Sequence, residues 1–365
     1  MTAASPSEPP ALAGGGRPVV ITGGSGFIGC NLAESFLRDG YDVVVLDNLS
    51  RPGVGQNLEW LKFEFGERIR PVIADIRDPQ ACRSIFEDAG AVFHLAAQTA
   101  VTTSLDDPLG DFAVNAQGTL NLLEAVRASG RTIPVIFAST NKVYGALEDL
   151  EMIELEDRYV PASPEIRQGI GEDRRLDFCT PYGCSKGVAD QYVLDYAKSF
   201  GIPTAVLRMS CIYGPHQFGT EDQGWVAHFL IRALQGEPIS IYGNGKQVRD
   251  VLHVADAVAA YRAVLENIDA VTGRVFNLGG GVQNAVSLRL VLQEIRRITG
   301  AEPLIGWGDW RAGDQYYFVA DTTRLQRELG WTAKIGWREG LRDLADWLRR
   351  ERGLGRPQRE ERLTA

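Results

Sequence analysis

Five short apolar runs alternating with helical patterns, a glycine-rich turn directly after the first run, and an acid at the end of the second predict an α/β fold. The expected architecture is a Rossmann-type, doubly wound parallel sheet with a smaller, interleaved C-terminal α/β substrate domain. Pro18 to Thr22 reads as a strand buried on both faces. Gly23-Gly24-Ser25-Gly26-Phe27-Ile28-Gly29 follows, then a helix whose Ile28, Leu32, Phe36 and Leu37 keep helical spacing until Gly40 supplies the stop. Asp42 to Leu46 is the second run and ends at Asp47. Val72 to Asp75 reads as the third strand, and Asp78-Pro79 as the N-cap and first-turn proline of the next helix. Ala91 to Ala96 reads as the fourth strand, Pro108 to Ala128 as a long helix, and Val135 to Thr140 as the fifth strand.

The first βαβ unit has the features of a dinucleotide site. Glycines 23, 26 and 29 permit a tight turn, close approach of a pyrophosphate and close helix packing, while the helix N-terminus faces the phosphate charge. The pattern alone is weak, but here a strand precedes it, a helix follows, and an acid closes the second strand. A carboxylate at Asp47 accepts hydrogen bonds from a ribose 2′-hydroxyl and repels a 2′-phosphate, which favours NAD over NADP. Arg51 is the counterargument, since an arginine there can receive that phosphate; a solvated loop arginine is the simpler reading.

Ligands of such sheets lie beyond the carboxyl ends of the strands. Asp47, Asp75, His94-Leu95-Ala96-Ala97-Gln98 and Ser139-Thr140-Asn141-Lys142 all fall there. Downstream, Tyr182 and Lys186 are spaced i and i+4 and share a helix face. An ammonium beside the phenol, joined by the charge of an oxidised nicotinamide, would favour the phenolate. A free phenol titrates near 10, so activity near neutrality asks for roughly 3 to 4 kcal/mol of such stabilisation. A hydroxyl at Thr140 can bond the same substrate oxygen, which gives a Thr-Tyr-Lys triad for hydride chemistry.

Composition narrows the class. The chain has 365 residues, 44% hydrophobic and 23% charged, as expected of a soluble globular enzyme. A net charge of −9 without a basic stripe argues against nucleic acid as a partner. No apolar stretch nears the roughly 18 residues that span a bilayer. The five cysteines lack Cys-x-x-Cys spacing and the four histidines are scattered, so no metal site is expected, and reduced thiols suggest a cytoplasmic location.

Thr-Gly-Gly-x-Gly-Phe-Ile-Gly from Thr22, the His94-Leu95-Ala96-Ala97 strand end, Tyr182-x-x-x-Lys186 and Arg249-Asp250 resemble the extended short-chain dehydrogenases that act on nucleotide sugars. Longer runs, Asn57 to Leu61, Gln98 to Leu105, Ser139 to Gly145, Tyr182 to Tyr196 and Arg208 to Phe229, resemble one branch of that family, the CDP-tyvelose (CDP-paratose) 2-epimerases. The similarity extends from about residue 17 to 348.

The resemblance implies Thr140, Tyr182 and Lys186 as catalytic. It implies Gly23, Gly26, Phe27, Ile28, Gly29, Asp47, Asn48, Asp75, Ile76, Leu95, Ala96, Ala97, Gln98 and Asn115, with Tyr182 and Lys186, around a tightly bound NAD. Thr103, Asn141, Cys211, His216, Gln217, Arg249 and Arg311 would meet the nucleotide sugar, the two arginines at its diphosphate. Cys211 stands where many relatives carry Asn, so a substrate contact made by that Asn cannot be assumed. A homodimer or larger homo-oligomer is implied as well.

The implied reaction oxidises and re-reduces one carbon with inversion. A 4-epimerase uses the same triad and stays open on chemistry alone. A 4,6-dehydratase needs an acid and a base after the strand-five threonine, where this chain has Asn141-Lys142. A non-catalytic nucleotide sensor would have no use for the triad. The expected organisation is a disordered leader over 1–16, an NAD-binding domain over 17–209 with a return segment 251–281, a nucleotide-sugar domain over 210–250 and 282–348, and a charged tail over 349–365. The polar insertion over 154–178 could be a mobile lid.

Overall fold

The computed structural model describes residues 16–354 other than Ala312, so the expected leader before Gly16 and the tail beyond Leu354 lie outside the described residues. Strands β1 (Val19–Thr22), β2 (Val43–Asp47), β4 (Ala91–His94) and β5 (Val135–Thr140) are buried almost throughout, as continuous apolar runs between two helical layers must be. With β3 (Ile69–Ile73) they belong to a seven-stranded parallel sheet in the order Arg274–Leu278, Thr204–Met209, β5, β4, β1, β2, β3. Chain order reverses between β1 and β4, which opens a crevice at their carboxyl ends.

Helices α1 (Phe27–Arg38), α2 (Val54–Phe65) and Val254–Glu266 pack on one face of the sheet. Helices α3 (Pro79–Phe86), Gly118–Ala128 and Thr180–Phe200 cover the other. The smaller unit has the strand Val248–His253 at its centre, paired with Cys211–Tyr213, Ala285–Ser287 and Tyr317–Phe318. Helices Trp225–Gln235, Leu288–Thr299 and Trp337–Glu351 share its apolar core.

Four expectations need correction. The third strand runs over 69–73 rather than 72–75: it is the sheet edge, mostly exposed and with Pro71 inside it, so its apolar pattern is thin. The fourth ends at His94, and residues 95–98 leave the sheet as a loop. The long helix is divided into Pro108–Phe112, a π turn over Ala113–Gln117 and Gly118–Ala128, and the π turn carries Asn115. The last helix continues to Glu351, so 349–351 are helical, with Arg349 donating to the Ile298 carbonyl at 2.9 Å.

Two boundaries are also sharper than composition allows. Residues 251–253 still pair within the smaller sheet, and the return to the large one starts with the helix at Val254. The insertion carries a hairpin, Met152–Glu154 against Tyr159–Pro161, and is stitched to its neighbours beyond it. Ile170 N donates to the Val319 carbonyl at 2.7 Å, and Asn277 Nδ2 donates to the Ile170 carbonyl at 2.8 Å.

Candidate active site

The glycine turn is shaped by close approach. Gly23 has φ +69°, and a Cβ there would lie 2.7 Å from Ala96 N; one at Gly29 would strike the Gly23 carbonyl oxygen. The turn therefore brings the start of α1 against the loop after β4. The α1 N-terminus has neither a side-chain cap nor an acid in its first turn, leaving donors for an anion. Phe27 and Ile28 anchor the first turn on the core.

Asp47 Oδ2 accepts from Ser25 N at 3.1 Å and Oδ1 from Leu49 N at 2.9 Å. Burial raises its carboxyl, and the N–H groups of Leu49, Ser25 and Gly26 oppose that rise. Asn48 Nδ2 donates to Asp75 at 2.9 Å, and the hydrogen-bonding Arg77 side chain holds Asp75 well below the usual carboxylate range. Ile76 is buried where Gly118 leaves room for it. Ala96 N donates to Thr22 Oγ1 at 3.2 Å, so the Leu95-Ala96-Ala97 loop is tied to β1. An uncapped helix start, a glycine cradle and an acid at the end of β2 fit a dinucleotide. Asp47→Ala is expected to weaken NAD retention roughly tenfold or more, the worth of a hydrogen bond to a charged group, and to relax discrimination against NADP. Dinucleotide released on denaturation and competition between the two cofactors would measure this; unchanged values would remove Asp47 from the ribose site.

Asn115 is consumed by the protein itself. Its Oδ1 accepts from Gln98 N at 2.9 Å, while Nδ2 lies within reach of the Gln98 carbonyl, Asp111 and Ser185 Oγ. It fixes the loop after β4 against the Thr180–Phe200 helix. Arg51, an exposed residue, donates to Thr99 Oγ1 at 2.7 Å.

Thr140, Tyr182 and Lys186 converge at the carboxyl end of β5. Thr180 opens the helix in a left-handed conformation (φ 66°), and Tyr182 N donates to Ser104 Oγ at 3.1 Å. Thr140 Oγ1 donates to Asn141 Oδ1 at 3.3 Å and accepts from Lys142 N at 3.2 Å, and its hydroxyl lies close enough to the Tyr182 phenol to oppose the effect of burial on it. Lys186 Nζ donates to the Ala138 carbonyl at 2.6 Å and lies 4.1 Å above the Phe137 ring. Burial pushes this ammonium down to about 7.

Here the expected electrostatics fail for the protein alone. Burial pushes the Tyr182 phenol up to about 12; the Thr140 hydrogen bond and the Arg51 charge oppose that rise, and Asp111 adds to it. The ammonium on the same helix face is directed at a backbone carbonyl and a ring.

The substrate-side residues are more dispersed. Asn141 Nδ2 donates to Gln315 Oε1 at 3.3 Å, and Trp225 Nε1 donates to Cys211 Sγ at 3.3 Å. Gln217 donates through Nε2 to the Ile212 carbonyl, but its buried Oε1 has no donor; the same holds for Gln247 Oε1. Thr103 is exposed on the short helix Val101–Asp106. His216 is held between rings, 4.3 Å from Trp60 and 5.2 Å from Trp347, in a cleft of about 510 Å³ between α1, α2 and the last helix.

Arg249 pairs with Asp314, and Arg311 lies 3.5 Å from Glu221, 3.6 Å from Asp222 and over the Tyr242 ring. The sequence marks Lys142 only as a missing carboxyl group, yet it is a cation of this pocket. Its Nζ donates to the Gly313 carbonyl at 3.0 Å and lies 3.9 Å from the Asp314 carboxylate that Arg249 also uses. Buried Arg249 and partly exposed Lys142 share one carboxylate, an arrangement suited to an anionic ligand. Lys142 is findable as a strand-end residue, whereas nothing in the sequence pairs Asp314 with Arg249. Among the described residues, no group of three or more His, Cys, Asp or Glu could hold a metal ion, and no helix is long and apolar enough to cross a membrane.

Residues 19–279 match the family described as NAD dependent epimerase/dehydratase. A CDP-paratose 2-epimerase from Salmonella typhi is 42% identical over 340 residues, covering 90% of this chain and 98% of that protein. The solved UDP-glucose 4-epimerase of Thermotoga maritima, with UDP-glucose, is 30% identical, with a TM-score of 0.76 over 92% of this chain and 99% of its own. That of Thermus thermophilus, in complex with NAD, is 31% identical, with a TM-score of 0.76 over 91% and 99%.

Proposed function

The chain belongs to the NAD dependent epimerase/dehydratase family, and from that premise we propose that it is an isomerase that inverts C2 of a nucleotide-diphosphate sugar through a 2-keto sugar. CDP-linked 3,6-dideoxyhexoses of the paratose and tyvelose type are the proposed substrates. The observation that carries the reading is the placement of Thr140, at the carboxyl end of β5, beside a helix on which Tyr182 and Lys186 are both buried, with Lys186 Nζ donating to the Ala138 carbonyl of the same strand.

In this reading Tyr182 takes the proton of the sugar hydroxyl, and Thr140 orients that hydroxyl and supports the oxygen as the ketone forms. When bound at the glycine cradle and Asp47, NAD would supply the hydride acceptor and donor. Lys186, on the helix face of Tyr182, would add positive charge to the site in its protonated form. Arg249, Arg311 and Lys142 hold the diphosphate while the keto-sugar turns, so that the same tyrosine returns the proton after the opposite face has been presented. The hydride comes back in each cycle, so NAD is proposed to remain bound and to copurify.

Asn141 and Lys142 provide no carboxyl group to carry protons for water elimination, which disfavours a 4,6-dehydratase, and an intact triad disfavours a sensor. The choice of C2 leans on the 42% identical 2-epimerase, matched over 98% of its length; the second reading, a 4-epimerase, leans on the solved relatives. Leu105, Leu109 and Phe112 are exposed on adjoining short helices, an apolar face that supports a homodimer. Five free cysteines agree with a cytoplasmic setting. Purified protein offered a panel of CDP-, UDP- and GDP-sugars, with products read by NMR, is expected to interconvert gluco and manno configurations at C2. Inversion at C4 with C2 unchanged would make the 4-epimerase reading correct.

A further inference from the structure

The run Asn57-Leu58-Glu59-Trp60-Leu61 contributes no group to the chemistry above, yet Asn57 is buried at 2% exposure. Asn57 lies on α2, between the two halves of the site. Its Nδ2 donates to the Ser25 carbonyl in the glycine turn at 3.0 Å, and to the His216 carbonyl, 159 residues away, at 3.1 Å. His216 Nδ1 donates back to Asn57 Oδ1 at 3.2 Å. An amide of this kind has two donors and one acceptor oxygen, and all are used.

The rest of α2 grips the same far loop. Trp60 lies 4.3 Å from the His216 ring, and Gly53, just before α2, has φ +86° and leaves the space that Phe218 fills. His216 itself has φ 66°, a conformation a non-glycine residue keeps only where its surroundings hold it. Asn31 of α1 adds a third tie, donating to the Pro215 carbonyl at 3.0 Å. The next residue, Gln217, is buried and its Oε1 has no hydrogen-bond partner.

We propose that Asn57 is a positioning residue that buckles the cofactor turn to the substrate loop 215–218, so that the binding of NAD and the order of that loop are coupled. The proposal rests on the reading of the site as an NAD and nucleotide-sugar site, but not on which carbon is inverted. A single amide bonding both backbones transmits a shift of either, and such coupling is reciprocal.

The test uses the full chain. Exchange of bound NAD for isotopically labelled NAD, and hydrogen exchange of the amides of Gly214 and residues 216–219 with and without NAD, are compared between wild type and Asn57→Ala. In wild type, NAD is expected to protect those amides. In Asn57→Ala, NAD exchange should be at least tenfold faster and the NAD-dependent protection of the loop should be lost. Asn57→Asp, which keeps the shape and the acceptor but cannot donate to both carbonyls, should shift both readouts in the same direction, which covers misfolding of the alanine variant. A merely structural role would lower thermal stability while leaving NAD exchange and loop protection as in wild type, and that result would overturn the proposal. Failure of wild type to bind NAD would instead refute the cofactor reading.

Discussion

Tyr182→Phe is expected to fold, retain NAD and lose turnover by roughly 10²- to 10⁴-fold, the contribution of a positioned acid or base, or about 3 to 5 kcal/mol of barrier. The substitution removes one hydroxyl and leaves the ring, so the packing of a side chain 8% exposed is preserved. Steady-state rates and the dinucleotide content of the purified variant measure the two effects separately. Rates like those of wild type would show that another group moves the proton, and lost NAD with lost rate would show that the phenol serves mainly in binding.

Arg208→Leu is expected to destabilise the protein by about 3 to 5 kcal/mol, the cost of leaving a buried charge without its partner. Arg208, on the strand Thr204–Met209, makes two bonds to Asp190 on the helix that carries Tyr182 and Lys186, at 2.9 and 2.8 Å, with side chains 3% and 0% exposed. Ser139 Oγ, beside Thr140, donates to the same carboxylate at 2.7 Å, and Arg208 also donates to Tyr144 Oη at 3.1 Å. This network seats the helix of Tyr182 and Lys186 against β5. Asp190→Leu combined with Arg208→Leu should recover most of the loss, because the buried carboxylate is removed with its partner. Denaturant unfolding of the three proteins tests this; a double variant as unstable as the sum of the singles would contradict it.

The parts of the fold legible in the sequence are those where one physical constraint dominates. β1, β2 and β5 are buried on both faces, so they read as unbroken apolar runs, and the glycine turn reads because close approach excludes any Cβ. β3 is displaced in the sequence reading because an edge strand need not be apolar. The π turn at 113–117 has no compositional signal, since the residues around Asn115 suit an ordinary helix. The triad is legible as residue types at fixed positions relative to strand and helix ends. Its electrostatics are not: the burial that raises Tyr182 and lowers Lys186 is a property of the packed site. The same holds for Arg249, Asp314 and Lys142, which come together from a strand, a distant loop and a strand end.

The most direct measurement of the central claim, inversion by removal and return of a hydride within one site, follows the hydrogen on the inverted carbon. A substrate deuterated at C2 and turned over in ordinary water should give product that keeps deuterium at C2. The same reaction of unlabelled substrate in deuterium oxide should place none there. Loss of the label, or entry of solvent deuterium at C2, would mean that the carbon exchanges a proton with water, and would contradict the account.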